Sequence, residues 1–322
     1  MSQNPTAFWG GIFFSLAAGM MWGLVFVGPL MLPEYPAALH TFGRYLAFGA
    51  IAIPLAFVDH AEIRRLSRHD WMAALKLAAI GNVLYYLFLS SAIQRAGGAL
   101  PTMIIGTLPV VIAISANVLN HQRDGRFPWL KLAPPLVLIL LGIACVNHVE
   151  WTALLQNPAA DTSRYISGAA LAVGALICWT WYPLKNADWL RNHPGRNPRV
   201  WATAQGLATL PLALLGYAAF WLWTSTTPKP LPMPLGPNPL QFMALMMAIG
   251  LFASWLGTLC WNAASQRLPT ALAGQLIVFE PLAALAYAFW LRGQWPEPLA
   301  LSGIALLVAG VIAGVRVKAV AT

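Results

Sequence analysis

Ten apolar stretches follow one another along this chain, at roughly 8–32, 37–57, 70–94, 99–120, 130–147, 165–187, 200–223, 239–265, 270–291 and 298–315. A helix needs about 20 apolar residues to cross a bilayer core, and these stretches lack the polar face of a helix laid on a soluble core. They predict ten membrane-spanning helices. The connections are short except 148–164 and the Pro-rich 224–238, so no room is left for a second, soluble domain. The first stretch has small residues at Ala17-Ala18-Gly19, as a cleavage site would. It lacks a basic leader and runs for about 25 residues, so it reads as a retained span.

The pattern is written twice. Gln94-Arg95 returns as Gln266-Arg267 and Pro109 as Pro281, each 172 positions on. Trp22, Gly49 and Pro54-Leu55 return as Trp179, Gly206 and Pro211-Leu212 at an offset of 157, and Gly142 returns as Gly310 at 168. Chance matches of Leu, Ala and Gly are common in apolar chains, but ordered matches of Trp, Pro and a Gln-Arg pair are not. The expected units are 8–147 and 165–316, five spans each. An odd number of spans turns the second copy upside down, and inverted repeats are how transporters build conformations open to opposite sides. The fold class expected is all-α integral membrane, ten transmembrane helices in two inverted five-helix repeats.

Composition agrees: 59% of residues are hydrophobic and 9% charged, against roughly 25% charged in soluble chains. The net charge of +9 changes the picture only through its distribution. With the amino terminus in the cytoplasm, the loops and tail on that side hold Arg64, Arg65, Arg68, Arg123, Arg126, Lys131, Lys185, Arg191, Arg196, Arg199, Arg267, Arg316 and Lys318. The other side holds Arg95, Arg164, Lys229 and Arg292. The positive-inside rule then puts both termini in the cytoplasm of a bacterial inner-membrane protein. The charge is a topology signal and not a nucleic-acid footprint. Cys145, Cys178 and Cys260 fall within spans without paired spacing and read as reduced packing residues.

Polar groups in a bilayer core are costly, so each is a candidate for function. Glu280 lies about midway along the ninth span, before Pro281, which removes a backbone donor and disturbs the preceding turn. A carboxylate there can hold a substrate ammonium, carry a proton, or simply bond a neighbouring helix. The equivalent position in the first repeat is Leu108, beside Pro109, so any proton role is one-sided. Arg44 lies about two turns inside the second span, with His40 one turn earlier on the same face. It can clamp a carboxylate, pair with Glu280, or snorkel outward. About 10 Å of depth is within reach of its side chain, which favours snorkelling, as for Lys76.

Of fifteen tryptophans, Trp22, Trp179, Trp181, Trp255 and Trp261 lie deep. Trp9, Trp71, Trp129, Trp151, Trp189, Trp201, Trp221, Trp223, Trp290 and Trp295 sit near span ends or in loops, and most read as an interfacial belt. With Tyr85, Tyr86 and Tyr182, the deep ones can line a cavity for a flat apolar or cationic substrate. Asn82, Tyr86 and Ser90 share a face of the third span and suggest a cavity wall. Thr107, Gln205, Thr258, Asn262 and Gln275 are further polar groups in spans, a type that also serves simply to bond helices together. No phosphate-binding loop, metal spacing or carboxylate pair is present, so neither cofactor nor metal is expected. His60, His69, His121 and His193 fall in loops.

The stretch 279–311 carries Phe279-Glu280-Pro281-Leu282-Ala283-Ala284, then Arg292-Gly293-Gln294, then Gly303 and Leu306-Leu307-Val308-Ala309-Gly310-Val311. Leu108-Pro109-Val110, Leu140-Leu141-Gly142 and Arg44-Tyr45-Leu46-Ala47 repeat the outline earlier. In order and spacing, over almost the whole chain, these motifs resemble the EamA branch of the drug/metabolite transporter superfamily. Gln294 stands where that family commonly has Glu, at a surface turn. Trp261-Asn262 is similar to a Trp-Asn of YddG-type exporters of aromatic amino acids. The resemblance implies ten spans in two inverted repeats. It also implies alternating access by the first four helices of each repeat, with the fifth and tenth as scaffold.

The expectation is a secondary transporter, not an enzyme, that exports small metabolites such as amino acids or amphipathic cations. Candidate substrate-binding residues are Glu280, Trp22, Trp179, Tyr182, Asn82, Tyr86, Ser90, Trp261, Asn262 and Arg44. Import or passive facilitation, a membrane-embedded enzyme and a structural membrane protein are the alternatives. The partners expected are a small-molecule substrate and the lipid bilayer. Monomer and homodimer are both left open.

Overall fold

A computed structural model describes residues 5–96, 99–119, 127–155, 162–228, 230–293, 295 and 297–317. Arg123, Arg126, His121, Lys229, Gln294 and Lys318 lie outside the described residues, as does the side chain of Trp151. Apart from a single helical turn at His60–Ile63, the helical elements are α1 (Pro5–Met31), α2 (Ala37–Val58), α3 (Arg68–Ala96), α4a (Ala99–Gly106), α4b (Leu108–Leu119) and α5 (Trp129–Leu155). There follow α6 (Thr162–Asn192), α7 (Pro198–Ser225), α8 (Pro239–Ser265), α9a (Thr270–Leu276), α9b (Phe279–Arg292) and α10 (Pro298–Val315). Among the described residues, seven helices are long and apolar enough to cross a membrane; Leu108–Val118, Trp129–Cys145 and Pro298–Gly314 are shorter apolar helices.

The ends are set by local chemistry. Ser67 and Asp70 form a reciprocal capping box at the start of α3, the Ser67 N–H donating to Asp70 Oδ2 at 2.8 Å. Proline opens α7, α8 and α10, where its missing N–H costs no helical bond. Long exposed apolar side chains, such as Phe13, Phe57, Leu130, Leu215 and Leu240, face outward, as suits a lipid surround.

Two helices are continuous in direction but wound differently in the middle. The segment Ala78–Leu84 of α3 and the segment Gly250–Leu256 of α8 are π-helical. The second begins 172 positions after the first, the offset of the Gln-Arg pairs. Two others are broken. At the α9 break, the Glu280 N–H turns back to Ile277 O at 2.9 Å, because the Pro281 ring would clash with that carbonyl in a continuing helix. Before Pro109, Thr107 interrupts α4, and its hydroxyl bonds Ile104 O at 2.7 Å. Proline alone does not suffice, since Pro54 and Pro211 lie within unbroken α2 and α7.

The helices pack in pairs: α5 with α10, α2 with α7, α3 with α6, α1 with α8 and α9b, and α4b with α9a. The α5–α10 contact is backbone-close. A Cβ on Gly142 would stand 2.7 Å from Gly303 O, so only glycine fits there. Such small-residue contacts replace the hydrophobic drive that is missing between helices in lipid. The remaining elements surround a central point where α1, α2, α3, α6, α8 and α9b meet.

Candidate functional site

At that point lies a cavity of about 10 Å³, lined by Trp22, Val25, Arg44, Tyr45, Asn82, Tyr85, Trp179, Ala253, Ser254, Thr258 and Glu280. It has room for about one water molecule. In this conformation the site is collapsed, and admitting a metabolite requires its walls to separate.

The α9 break sets Glu280 in the first turn of α9b, the end at which the helix dipole favours negative charge. It is 1% exposed. Trp179 Nε1 donates to its Oε2 at 3.1 Å, and the Tyr85 hydroxyl to its Oε1 at 3.4 Å. Trp179 is itself fixed between Tyr85 and Tyr182, stacked on them at centroid distances of 4.5 and 5.1 Å. Trp22 meets Trp179 edge to face and Trp261 at a tilt. The carboxylate is therefore held by an aromatic wall drawn from α1, α3, α6 and α8.

Arg44 does not snorkel. It is 5% exposed and turns inward, because Ser254 Oγ receives its Nε at 2.9 Å and Ala253 O its Nη2 at 3.4 Å. Tyr45 and Tyr86 lie under the guanidinium, 4.9 and 4.7 Å from its centre, a cation–π arrangement that offsets lost hydration. Its Nη1 is buried without a hydrogen-bond partner. None of the hydrogen bonds of Arg44 or Glu280 joins the two to each other, although both face the cavity.

The π segments contribute one polar side chain each. Asn82 donates from Nδ2 to Thr209 Oγ1 at 3.2 Å, and its backbone O accepts from the Tyr45 hydroxyl at 2.9 Å. Ser254, which receives Arg44, stands 172 positions after Asn82. Ser254 and Tyr45 were not among the candidates read from sequence. The repeat offset applied to Asn82 would have pointed to Ser254; Tyr45 carried no such signal.

Among the candidates, Glu280, Arg44, Trp22, Trp179 and Asn82 line the cavity. Tyr182 and Trp261 pack behind its aromatic wall. Tyr86 reaches Val25 O at 3.2 Å and supports Arg44 from below. Ser90 is spent elsewhere, on Tyr86 O at 2.5 Å and Thr41 Oγ1 at 3.2 Å, so the shared face of α3 is only in part a cavity wall. Asn262 bonds Asn186 and Pro198, away from the cavity lining. Trp189 and Trp201 do not belong to a lipid-facing belt. They are 7% and 1% exposed and stack on each other at 3.4 Å between α6 and α7, where Trp201 Nε1 also donates to Asn186 Oδ1.

Both ends of the bundle are closed by side chains. At the end carrying the amino terminus, Arg199 grips both carboxylate oxygens of Asp59, while His193 Nε2 and Arg196 Nη2 approach Asp70 at 3.5 and 3.6 Å. At the other end, Tyr35 stacks on Phe242 at 4.6 Å and its hydroxyl bonds Leu235 O. There Asn238 Nδ2 also donates to Glu34 at 2.7 Å. Each seal ties the first half of the chain to the second.

Comparison with known proteins fixes the class. The sequence profile of the EamA-like transporter family matches residues 9–148. Inner membrane protein YtfF of Escherichia coli is 54% identical over 308 residues, covering 96% of this chain and 95% of that protein. The chain belongs to the EamA-like transporter family. It is thus a multi-pass membrane transporter within the drug/metabolite transporter superfamily. More distant family relatives include the threonine/homoserine exporter RhtA of Escherichia coli, 25% identical over 82% of this chain and 77% of that one. Another is a probable terminal-alkyne amino-acid exporter of Streptantibioticus cattleyicolor, 24% identical over 83% and 80%. A solved crystal structure shares the EamA-like chain's fold with a TM-score of 0.70 at 17% identity, over 94% of this chain and 95% of that one.

Proposed function

We propose that this protein exports small zwitterionic metabolites, amino acids foremost, across a bacterial inner membrane by alternating access, with both termini in the cytoplasm. The observation that carries the reading is the pair of opposite charges, Arg44 and Glu280, facing one cavity without a hydrogen bond between them. A buried ion pair that served only packing would be bonded directly, because an unanswered charge in low dielectric is costly. Here Arg44 Nη1 remains free to receive a carboxylate, and Glu280 is placed to receive an ammonium. The aromatic wall around Glu280 suits an apolar side chain. Relatives named as amino-acid exporters support the same class.

The seals at both ends support alternating access. Opening one while the other holds exposes the Arg44–Glu280 cavity to one side only. In this reading the two halves, 8–147 and 165–316, act as inverted repeats, and α5 with α10 serves as scaffold. The test is counterflow uptake into proteoliposomes across the common L-amino acids, homoserine and a set of amphipathic cations. Accumulation of one or more amino acids is the expected result. Accumulation of cations lacking a carboxylate, with none of any amino acid, would overturn the zwitterion reading.

A further inference from the structure

Between the cavity and the loop at His193–Pro198 runs a buried polar network that the site above does not use. The Tyr182 hydroxyl donates to Gln205 Oε1 at 2.8 Å, and Gln205 Nε2 to Asn186 Oδ1 at 3.2 Å. Asn186 Nδ2 donates to Asn262 Oδ1 at 2.9 Å, and Asn262 Nδ2 to Pro198 O at 3.3 Å. Trp201 Nε1 completes it on Asn186 Oδ1 at 2.9 Å. Gln205, Asn186 and Asn262 are wholly buried. The chain links the ring stacked on Trp179 to the start of α7, step by step along α6, α7 and α8.

The fold itself does not require polar groups here. At the repeat offsets, the positions equivalent to Tyr182, Asn186, Gln205 and Asn262 are Val25, Pro29, Phe48 and Ser90. Three of those four positions are apolar, and the bundle still closes around them. Amides in a bilayer core are expensive unless bonded, and an apolar filling was open to the second half as it was to the first. A second observation points the same way. Trp189 Nε1, Trp261 Nε1 and Ser265 Oγ are buried around this network without hydrogen-bond partners.

We infer that Asn186, Gln205 and Asn262 form an outer subsite for a zwitterionic solute, used when the end closed by Asp59–Arg199 and Asp70–His193 opens. Amide N–H groups would receive the carboxylate and amide carbonyls the ammonium, before the solute reaches Arg44 and Glu280. In the closed conformation the amides bond one another, which keeps the unloaded path satisfied. The inference rests on the transport reading above for its solute, but the accessibility of the path can be tested without a solute.

The first measurement uses the full chain with Cys145, Cys178 and Cys260 replaced by alanine, in which Asn262→Cys is challenged with a membrane-impermeant methanethiosulfonate. Labelling from the face bearing the Asp59–Arg199 seal is expected. Labelling only from the opposite face, or none under turnover conditions, would overturn the path. The second measures exchange of whichever amino acid gives the largest counterflow signal, in proteoliposomes sorted by orientation. Asn186→Leu and Asn262→Leu should raise the half-saturating concentration about tenfold for solute offered at the Pro198 face, and less than twofold at the other. The more conservative Asn262→Gln should retain most of the affinity. Equal changes at both faces would assign the amides to folding and sink the subsite. If no amino acid is carried, the zwitterion reading fails, and labelling of Asn262→Cys still decides whether the path opens.

Discussion

Trp22 and Trp179, 157 positions apart, meet edge to face at the centre of the molecule with 4.9 Å between ring centroids. The contact joins α1 to α6, yet the two rings have different duties. Trp179 donates its N–H to Glu280, whereas the Trp22 ring packs beside Gly257, where a Cβ would stand 2.8 Å from its Nε1. Leu108, 172 positions before Glu280, has no carboxylate to accept such a bond.

That division predicts how the two tryptophans respond to substitution. Trp179→Phe keeps a ring in the Tyr85–Tyr182 stack and removes the donor to Glu280. Losing a hydrogen bond to a charged group costs about 1.5–3 kcal/mol, so substrate affinity should fall about tenfold or more, measured by half-saturation of counterflow. Trp22→Phe should change it less than threefold. Equal effects would mean that Trp179 acts through packing alone.

Glu280→Gln separates binding from proton coupling. If the carboxylate holds the substrate ammonium, exchange at equal pH and net export driven by a pH gradient should fall together, by more than about a hundredfold in affinity. If it carries the proton, exchange survives while pH-driven net export is lost, because only the return of the empty carrier needs protonation. The one-sided placement of Glu280 favours loss of both. Survival of both would make it a packing residue.

Asp59→Asn should loosen the seal at the amino-terminal end. Arg199 is half-exposed, so the pair contributes at most about 1 kcal/mol, or a roughly fivefold shift toward the open state. The readout is the labelling rate of a cysteine placed at Asn262, which should rise with Asp59→Asn and fall back in the swapped Asp59→Arg, Arg199→Asp pair. An unchanged rate would remove the ion pair from the gate.

Gly142→Leu should disrupt the α5–α10 contact, where Gly303 O and the backbone of Leu307 leave no space. The expected outcome is loss of several degrees or more of thermal stability in detergent, with little residual transport. Full stability would show that these helices can slide apart.

A reporter fused after the last residue should report the cytoplasm, and one inserted near Pro234 the opposite side. A far-side carboxyl terminus would overturn both the orientation and the odd-numbered repeat.

Much of this architecture is written locally, and so it was legible in the sequence. Apolar run length sets the helices, because a buried backbone must satisfy its own hydrogen bonds in lipid. Pro109 and Pro281 lie just past the interruptions of α4 and α9, and Glu280 and Trp179 announced themselves as a charge and a large ring deep in the apolar core. Side-chain direction was another matter, since it depends on what stands opposite. Arg44 was within reach of the interface, but Ser254 and Ala253, more than two hundred positions on, draw it inward. Trp189 and Trp201 look like belt residues until the pairing of α6 with α7 stacks them, and Ser90 shares a helical face with Asn82 but is taken by Tyr86 O and Thr41. The sequence determined which groups enter the membrane core. Tertiary structure alone decided which of them meet, because each partner comes from a distant helix and burial makes every polar atom answerable to its nearest neighbour.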